Sequence, residues 1–173
     1  MQDHVSPDLW TEITSALLSE FADMPDAAEF VRVTLRLLAA MALGGLLGYD
    51  RERRGSSAGL RTHMLVALGA ALFVLVPLQA GMEIADLSRV LQGVVAGVGF
   101  LGAGAIIKLN DSQEIIGLTT AASIWLTAAI GATAGMGKLA TAVLCALLAL
   151  IVLSALRRVS QRVSDQAEAE RQP

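Results

Sequence analysis

The stretch GYDRERRGSSAGLRTH, Gly48 to His63, is the densest set of side chains able to do chemistry. Asp50 and Glu52 supply hard oxygen donors. Mg²⁺ is commonly held by one or two carboxylates, with waters completing its shell. Arg51, Arg53, Arg54 and Arg61 crowd the same stretch and oppose a tight cation site. One reading is a charge network that gates or binds a cation. The other is a basic loop whose carboxylates neutralise their neighbours. His63 is a candidate pH-responsive group or a hydrogen-bonding residue at a helix end.

Other polar candidates are scattered. Arg32 and Arg36 lie one helical turn apart in an apolar segment. A charge inside a membrane span is a functional candidate by default. Arg32 can snorkel to the surface, whereas Arg36 lies deeper and needs a partner, for which Glu83 and Asp86 are within reach by loop position. Gln92 opens a later apolar segment, and Thr119, Thr120 and Ser123 open the next. Those hydroxyls also have a bland use, bonding back to their own helix.

GVGFLGAG, Gly97 to Gly104, contains the glycine spacing of a dinucleotide-binding turn. That fingerprint needs a preceding strand, an amphipathic helix after it and an acidic residue about 20 positions on. Here the glycines sit inside an apolar run, Ala103 to Ile107 after them has no polar face, and the chain shows no βαβ alternation. Small residues permit close helix approach in lipid, where no hydrophobic push exists between helices. Gly93, Gly97, Gly99, Gly102 and Gly104 therefore read as a packing face. Gly44 with Gly48, Ala67 with Ala71, and Gly131 with Gly135 repeat the small-xxx-small spacing. One glycine face is a candidate dimer seam. A second reading lets the glycine-rich helix unwind at mid-membrane and offer carbonyls to an ion.

The elements that must position these residues are membrane helices. Of 173 residues, 54% are hydrophobic and 17% charged, against roughly 25% charged in soluble domains. Five apolar segments follow an acidic start: 30–47, about 62–78, 90–107, 115–134 and 139–156. Most are long enough, or nearly so, to cross a hydrocarbon core of roughly 30 Å, the second being the shortest. Arginines collect in the 49–61 loop and at Arg157, Arg158 and Arg162, which places the first and third loops and the C-terminus in the cytoplasm and the N-terminus outside. The expected divisions are an acidic tail over 1–28, a five-helix transmembrane domain over 29–157 and a polar cytoplasmic tail over 158–173 that frays into disorder from about Ser160.

In the acidic tail, Trp10, Ile13, Leu17, Phe21 and Met24 recur at helical spacing, with Ser6-Pro7 as a start and Pro25 as a stop. This predicts a short amphipathic helix that lies on the membrane or packs on the bundle. Asp26 and Glu29 resemble a capping box. No cleavable signal pattern is visible. The single cysteine, Cys145, excludes an intrachain disulfide and a cysteine zinc site. No catalytic triad, metal-ligand cluster or phosphate loop is present, and no carboxylate occupies the centre of a span. An enzyme, a nucleic-acid binder and a proton-coupled carrier are all disfavoured.

Three stretches carry a family resemblance: GLLGYDRERRGSSAGLRTHMLVALGAALF, RVLQGVVAGVGFLGAGAII and GLTTAASIWLTAAIGATAGMG. In this order they resemble the MgtC/SapB family of bacterial inner-membrane proteins, over about Arg36 to Gly137. The family's usual G-L-E-R-E stands here as Gly48-Tyr49-Asp50-Arg51-Glu52, with aspartate keeping the charge on a shorter reach. The resemblance implies a role in growth at low magnesium, in virulence of intracellular pathogens, and in membrane potential or ATP synthase activity. The expectation is an all-α, multi-pass inner-membrane protein, a homodimer, regulating magnesium homeostasis through helix-face contacts with itself or a larger complex such as ATP synthase. The alternative is a small cation transporter with Asp50, Glu52, Arg36, Gln92 and Thr119 along its route. The candidate charge network is Arg36, Asp50, Glu52, Arg61, His63, Gln92, Thr119 and Thr120. No cofactor is expected apart from Mg²⁺ at Asp50 and Glu52 in the cation-binding reading.

Overall fold

A computed structural model describes residues 9–20, 26–108 and 115–169, without the side chains of residues 20, 107–108, 115 and 155–169. The expectations for Ser6-Pro7, Phe21, Met24 and Pro25, and for the side chains of Arg157, Arg158 and Arg162, lie outside the described residues.

Among the described residues the secondary structure is helical apart from one tiny ladder. The helices are α1 (Leu9–Glu20), α2 (Ala27–Glu52), α3 (Leu60–Gln79), α4 (Leu87–Gly104), α5 (Leu118–Gly135) and α6 (Leu139–Ala169). Four of them, α2 to α5, are long and apolar enough to cross a membrane. The described apolar part of α6 is Leu139–Ser154. A membrane helix bundle is the architecture, and α6 runs as one helix through Ala169.

Residues up to Leu35 and from Arg36 onward form two compact units. In the first, Asp26 Oδ1 accepts the Glu29 N–H at 2.6 Å, so α2 opens on a side-chain cap. Arg32 pairs with Glu29 at 3.4 Å.

The second unit is built around α3 and α5, which run parallel. Gly131 lies on the backbone of Ala67, and Gly135 on that of Ala71. A methyl group on Gly135 would sit 2.5 Å from the Ala71 carbonyl oxygen, and one on Gly131 would overlap the Ala67 carbonyl. From the other side α2 presses on α3. A Cβ on Gly44 would stand 2.6 Å from the His63 carbonyl oxygen, and one on Gly48 2.8 Å from Leu60 Cα. Glycines on both flanks thus clamp α3 at backbone distance, as lipid-immersed helices require. Ala142, Ala146 and Ala149 of α6 join Ile130 and Ala134 in one apolar cluster, and Val98 of α4 joins Val74, Ile124 and Ala128 in another.

The glycines of α4 behave differently. Gly102 meets Ala121 of α5 at 3.6 Å, but Gly93, Gly97, Gly99 and Gly104 would meet no described atom within 4 Å. The expected packing face is therefore largely open within the chain. It borders a groove of about 650 Å³ between α3 and α4, lined by Leu65, Gly69, Phe73, Gly93, Gly97 and Leu101 among others.

The α4–α5 connection also departs from expectation. Ile107 and Ile115 belong to strands, not helices. The ladder pairs Ile107 with Ile116 and Lys108 with Ile115, antiparallel. β-Branched residues suit such a ladder. Gly117 ends it at φ +99° and packs so tightly on the Ala105 carbonyl that any side chain would clash, so α5 starts at Leu118 rather than Ile115. Its other end is a Schellman turn: Lys138 N–H reaches Thr133 O at 3.1 Å and Gly137 N–H reaches Ala134 O at 2.9 Å, with Gly137 at φ +77°.

Candidate functional site

The basic loop and the start of α5 meet at one end of the bundle. At the last turn of α2, Asp50 Oδ1 pairs with Arg54 Nη2 at 2.5 Å. The spacing is i to i+4, so both lie on one face. The other carboxylate oxygen, Oδ2, is buried without a hydrogen-bond partner among the described residues. Tyr49 stacks under Arg53, whose guanidinium carbon lies 5.6 Å from the ring centroid.

Glu52 reaches across the turn. Its Oε2 accepts the Leu60 N–H at 2.7 Å, placing a negative charge on the N-terminus of α3, where orphan amides and the helix dipole favour it. Gly59 makes room, since a Cβ there would stand 2.7 Å from that same oxygen. The turn itself needs Gly55 at φ +70°.

Arg51 bridges to α5. Its Nη2 donates to Ser56 Oγ and Thr120 Oγ1, each at 3.3 Å, and the two hydroxyls lie 3.0 Å apart. This ties the first loop to the start of α5 and puts the first and third loops at the same end.

His63 is fully buried between α3 and α5. Nδ1 lies 2.8 Å from the Gly59 carbonyl oxygen, and Nε2 3.2 Å from Ser123 Oγ. Hydrogen counting fixes the roles. A carbonyl only accepts, so Nδ1 carries the proton of its bond. Ser123 also contacts Thr120 O at 2.8 Å, and its one hydroxyl proton serves either that carbonyl or Nε2. The orientation of Ser123 is therefore coupled to whether Nε2 holds a proton. One turn deeper, Thr127 Oγ1 is buried with no hydrogen-bond partner among the described residues.

The remaining candidates lie elsewhere. Arg36 is at the opposite end of α5, about 27 Å away by helix length. Its Nη1 donates to Gly135 O at 3.4 Å, placing a cation at the negative end of the helix dipole. The acidic partners expected for it are not the ones it uses, and Asp86 faces Arg89 at 3.7 Å. A helix terminus supplied the compensation because its last carbonyls lack helical donors. Arg61, Gln92 and Thr119 are exposed, and among the described residues no hydrogen bond or ion pair joins them to Asp50 or Glu52. Ser56 is the member of the cluster that sequence reading missed. Its signal was its place in the Ser56-Ser57 pair of a tight loop, which does not say which helix it faces.

Asp50 is engaged by a guanidinium and Glu52 by a backbone amide. Among the described residues no group of three or more His, Cys, Asp or Glu side chains gathers to hold a metal.

Several apolar helices bound by glycine contacts, with their ion pairs at the helix ends, define a multi-pass helical membrane protein. The MgtC family matches residues 37–162, and the chain belongs to it. SrpB of Synechococcus elongatus is 44% identical over 147 residues, which cover 79% of this chain and 80% of SrpB. YhiD of Escherichia coli K12, provisionally named a magnesium transporter, is 40% identical over 80% of this chain and 66% of its own length. MgtC of Salmonella typhimurium LT2 is 39% identical over 79% of this chain but only 59% of its own length. No solved structure matches the chain.

Proposed function

We propose that this magnesium-linked membrane protein is regulatory, acting through helix contacts with membrane partners. The observation that carries this reading is the face of α4. Gly93 and Gly97 would meet no described atom beyond their own helix within 4 Å, while Gly44, Gly48, Gly131 and Gly135 are already packed on α3. Close helix approach needs such a face, and the groove beside it is lined by apolar and small residues. A second copy of the chain is one candidate, and a larger complex such as ATP synthase is another. The protein sits in the bacterial inner membrane with five crossings, its N-terminus outside and its C-terminus in the cytoplasm. No enzymatic step enters this reading.

Cation transport is the second reading, favoured by the name of YhiD. The engagement of Asp50 by Arg54 and of Glu52 by α3 weighs against it. Purified protein in liposomes separates the two. Regulation expects no cation flux, together with association in native membranes that is lost on Gly93→Leu with Gly97→Leu. Flux of Mg²⁺ that disappears on Asp50→Asn or Glu52→Gln makes transport the correct reading.

A further inference from the structure

We propose that α1 is an in-plane membrane helix whose apolar stripe sits at the boundary between headgroups and acyl chains. On a helical projection Leu9, Trp10, Ile13 and Leu17 fall within one arc of about 100°. All four are exposed, Leu9 by 71% and Trp10 by 72%. The opposite side carries Thr11, Glu12, Ser15 and Ser19, with Leu18 as an exposed apolar exception. Thr14 Oγ1 donates to Trp10 O at 2.7 Å, Ser15 Oγ to Glu12 O at 2.9 Å and Ser19 Oγ to Ala16 O at 2.7 Å. Those hydroxyls are turned to their own backbone, so the face left for an occupant is the apolar one.

Chain length names the occupant. The membrane-crossing helix α2 starts at Ala27, and only residues 21–26 separate it from α1. At about 3.5 Å per residue these reach roughly 20 Å, which tethers α1 beside the bilayer. The helix has 12 residues, about 18 Å in length, too short to cross a core of roughly 30 Å. An apolar stripe held there, and unable to span, lies along the surface. Tryptophan favours that depth, with an apolar ring and a polar N–H. Residues 1–31 contain no Lys or Arg, so burial of the apolar stripe rather than attraction to anionic lipid holds α1, and zwitterionic lipid suffices.

The test uses the full chain in zwitterionic vesicles. Trp10 and Trp125 are its two tryptophans, so Trp125→Phe leaves Trp10 as sole reporter. Lipids brominated near the headgroup should quench Trp10 more strongly than lipids brominated near the chain terminus. Ile13→Glu with Leu17→Glu should abolish the quenching and shift emission to the red. Trp125 emission in a Trp10→Phe background reports that the bundle stays folded in that variant. Unquenched Trp10 overturns the proposal, whether its emission is water-like, as in solvent, or blue-shifted, as under a protein cover. Stronger quenching by the deep bromines overturns it too, because the helix is then inserted.

Discussion

At the scale of single residues, the cluster at the start of α5 is a set of bonds with few alternatives. Removing the Ser123 hydroxyl leaves His63 Nε2 without its 3.2 Å contact. Hydrogen bonds between membrane helices contribute on average about 0.6 kcal/mol and at most about 1.7. Ser123→Ala should therefore lower stability by about 1 kcal/mol in detergent unfolding. Thr127 gives the opposite expectation. Its hydroxyl is buried with no hydrogen-bond partner among the described residues, and an unmet buried polar group costs about 1–3 kcal/mol. Thr127→Val keeps the shape and removes that group, so unfolding should show it neutral or stabilised. A clear loss of stability would mean that the hydroxyl has a partner, such as an internal water. Glu52→Gln tests the cap on α3. The amide oxygen still accepts a bond but loses the charge, so a fall of under about 1 kcal/mol, reduced by salt, is expected.

At the scale of elements, the glycines divide into two populations, although their sequence spacing is the same. A methyl on Gly131 would overlap the Ala67 carbonyl, while one on Gly97 meets open space. Overpacking costs about 1–3 kcal/mol. Glycine to alanine in an open helix gains up to about 1 kcal/mol of helix propensity. Gly131→Ala should therefore destabilise the isolated protein and Gly97→Ala should not, as read by unfolding side by side. Equal losses in both would show that α4 is already covered in the purified state. Arg36 belongs to this scale as well, because it closes the C-terminal end of α5 from α2. A substitution there should act on helix pairing before any transport step.

At the scale of the whole molecule, the polar contacts sort by end. Ser56 meets Thr120 and Arg36 meets Gly135, which fixes the first and third loops at one end and the α5–α6 turn at the other. The proposed topology then gives a labelling pattern. In a Cys145→Ser background, an impermeant maleimide applied to intact cells should label Glu83→Cys and leave Arg53→Cys unlabelled until the membrane is opened. The reverse pattern inverts the protein.

Much of this architecture was legible from residue order. Long apolar runs with arginine-rich connections have few solutions in a bilayer, since every buried backbone group must be met within its own helix. Spacing also announced the small-residue faces and the cap at Asp26. What spacing could not supply was which face meets which. Gly93-xxx-Gly97 and Gly131-xxx-Gly135 read alike, and only the three-dimensional packing put one on α3 and left the other open. Nor does residue order reveal that Arg36 would be compensated by a helix end, or that Ser56 would reach Thr120. Period and hydropathy are local quantities carried by neighbours along the chain. Pairings between residues some 60 to 100 positions apart depend on how whole helices settle against one another, and that is decided only when the tertiary fold forms.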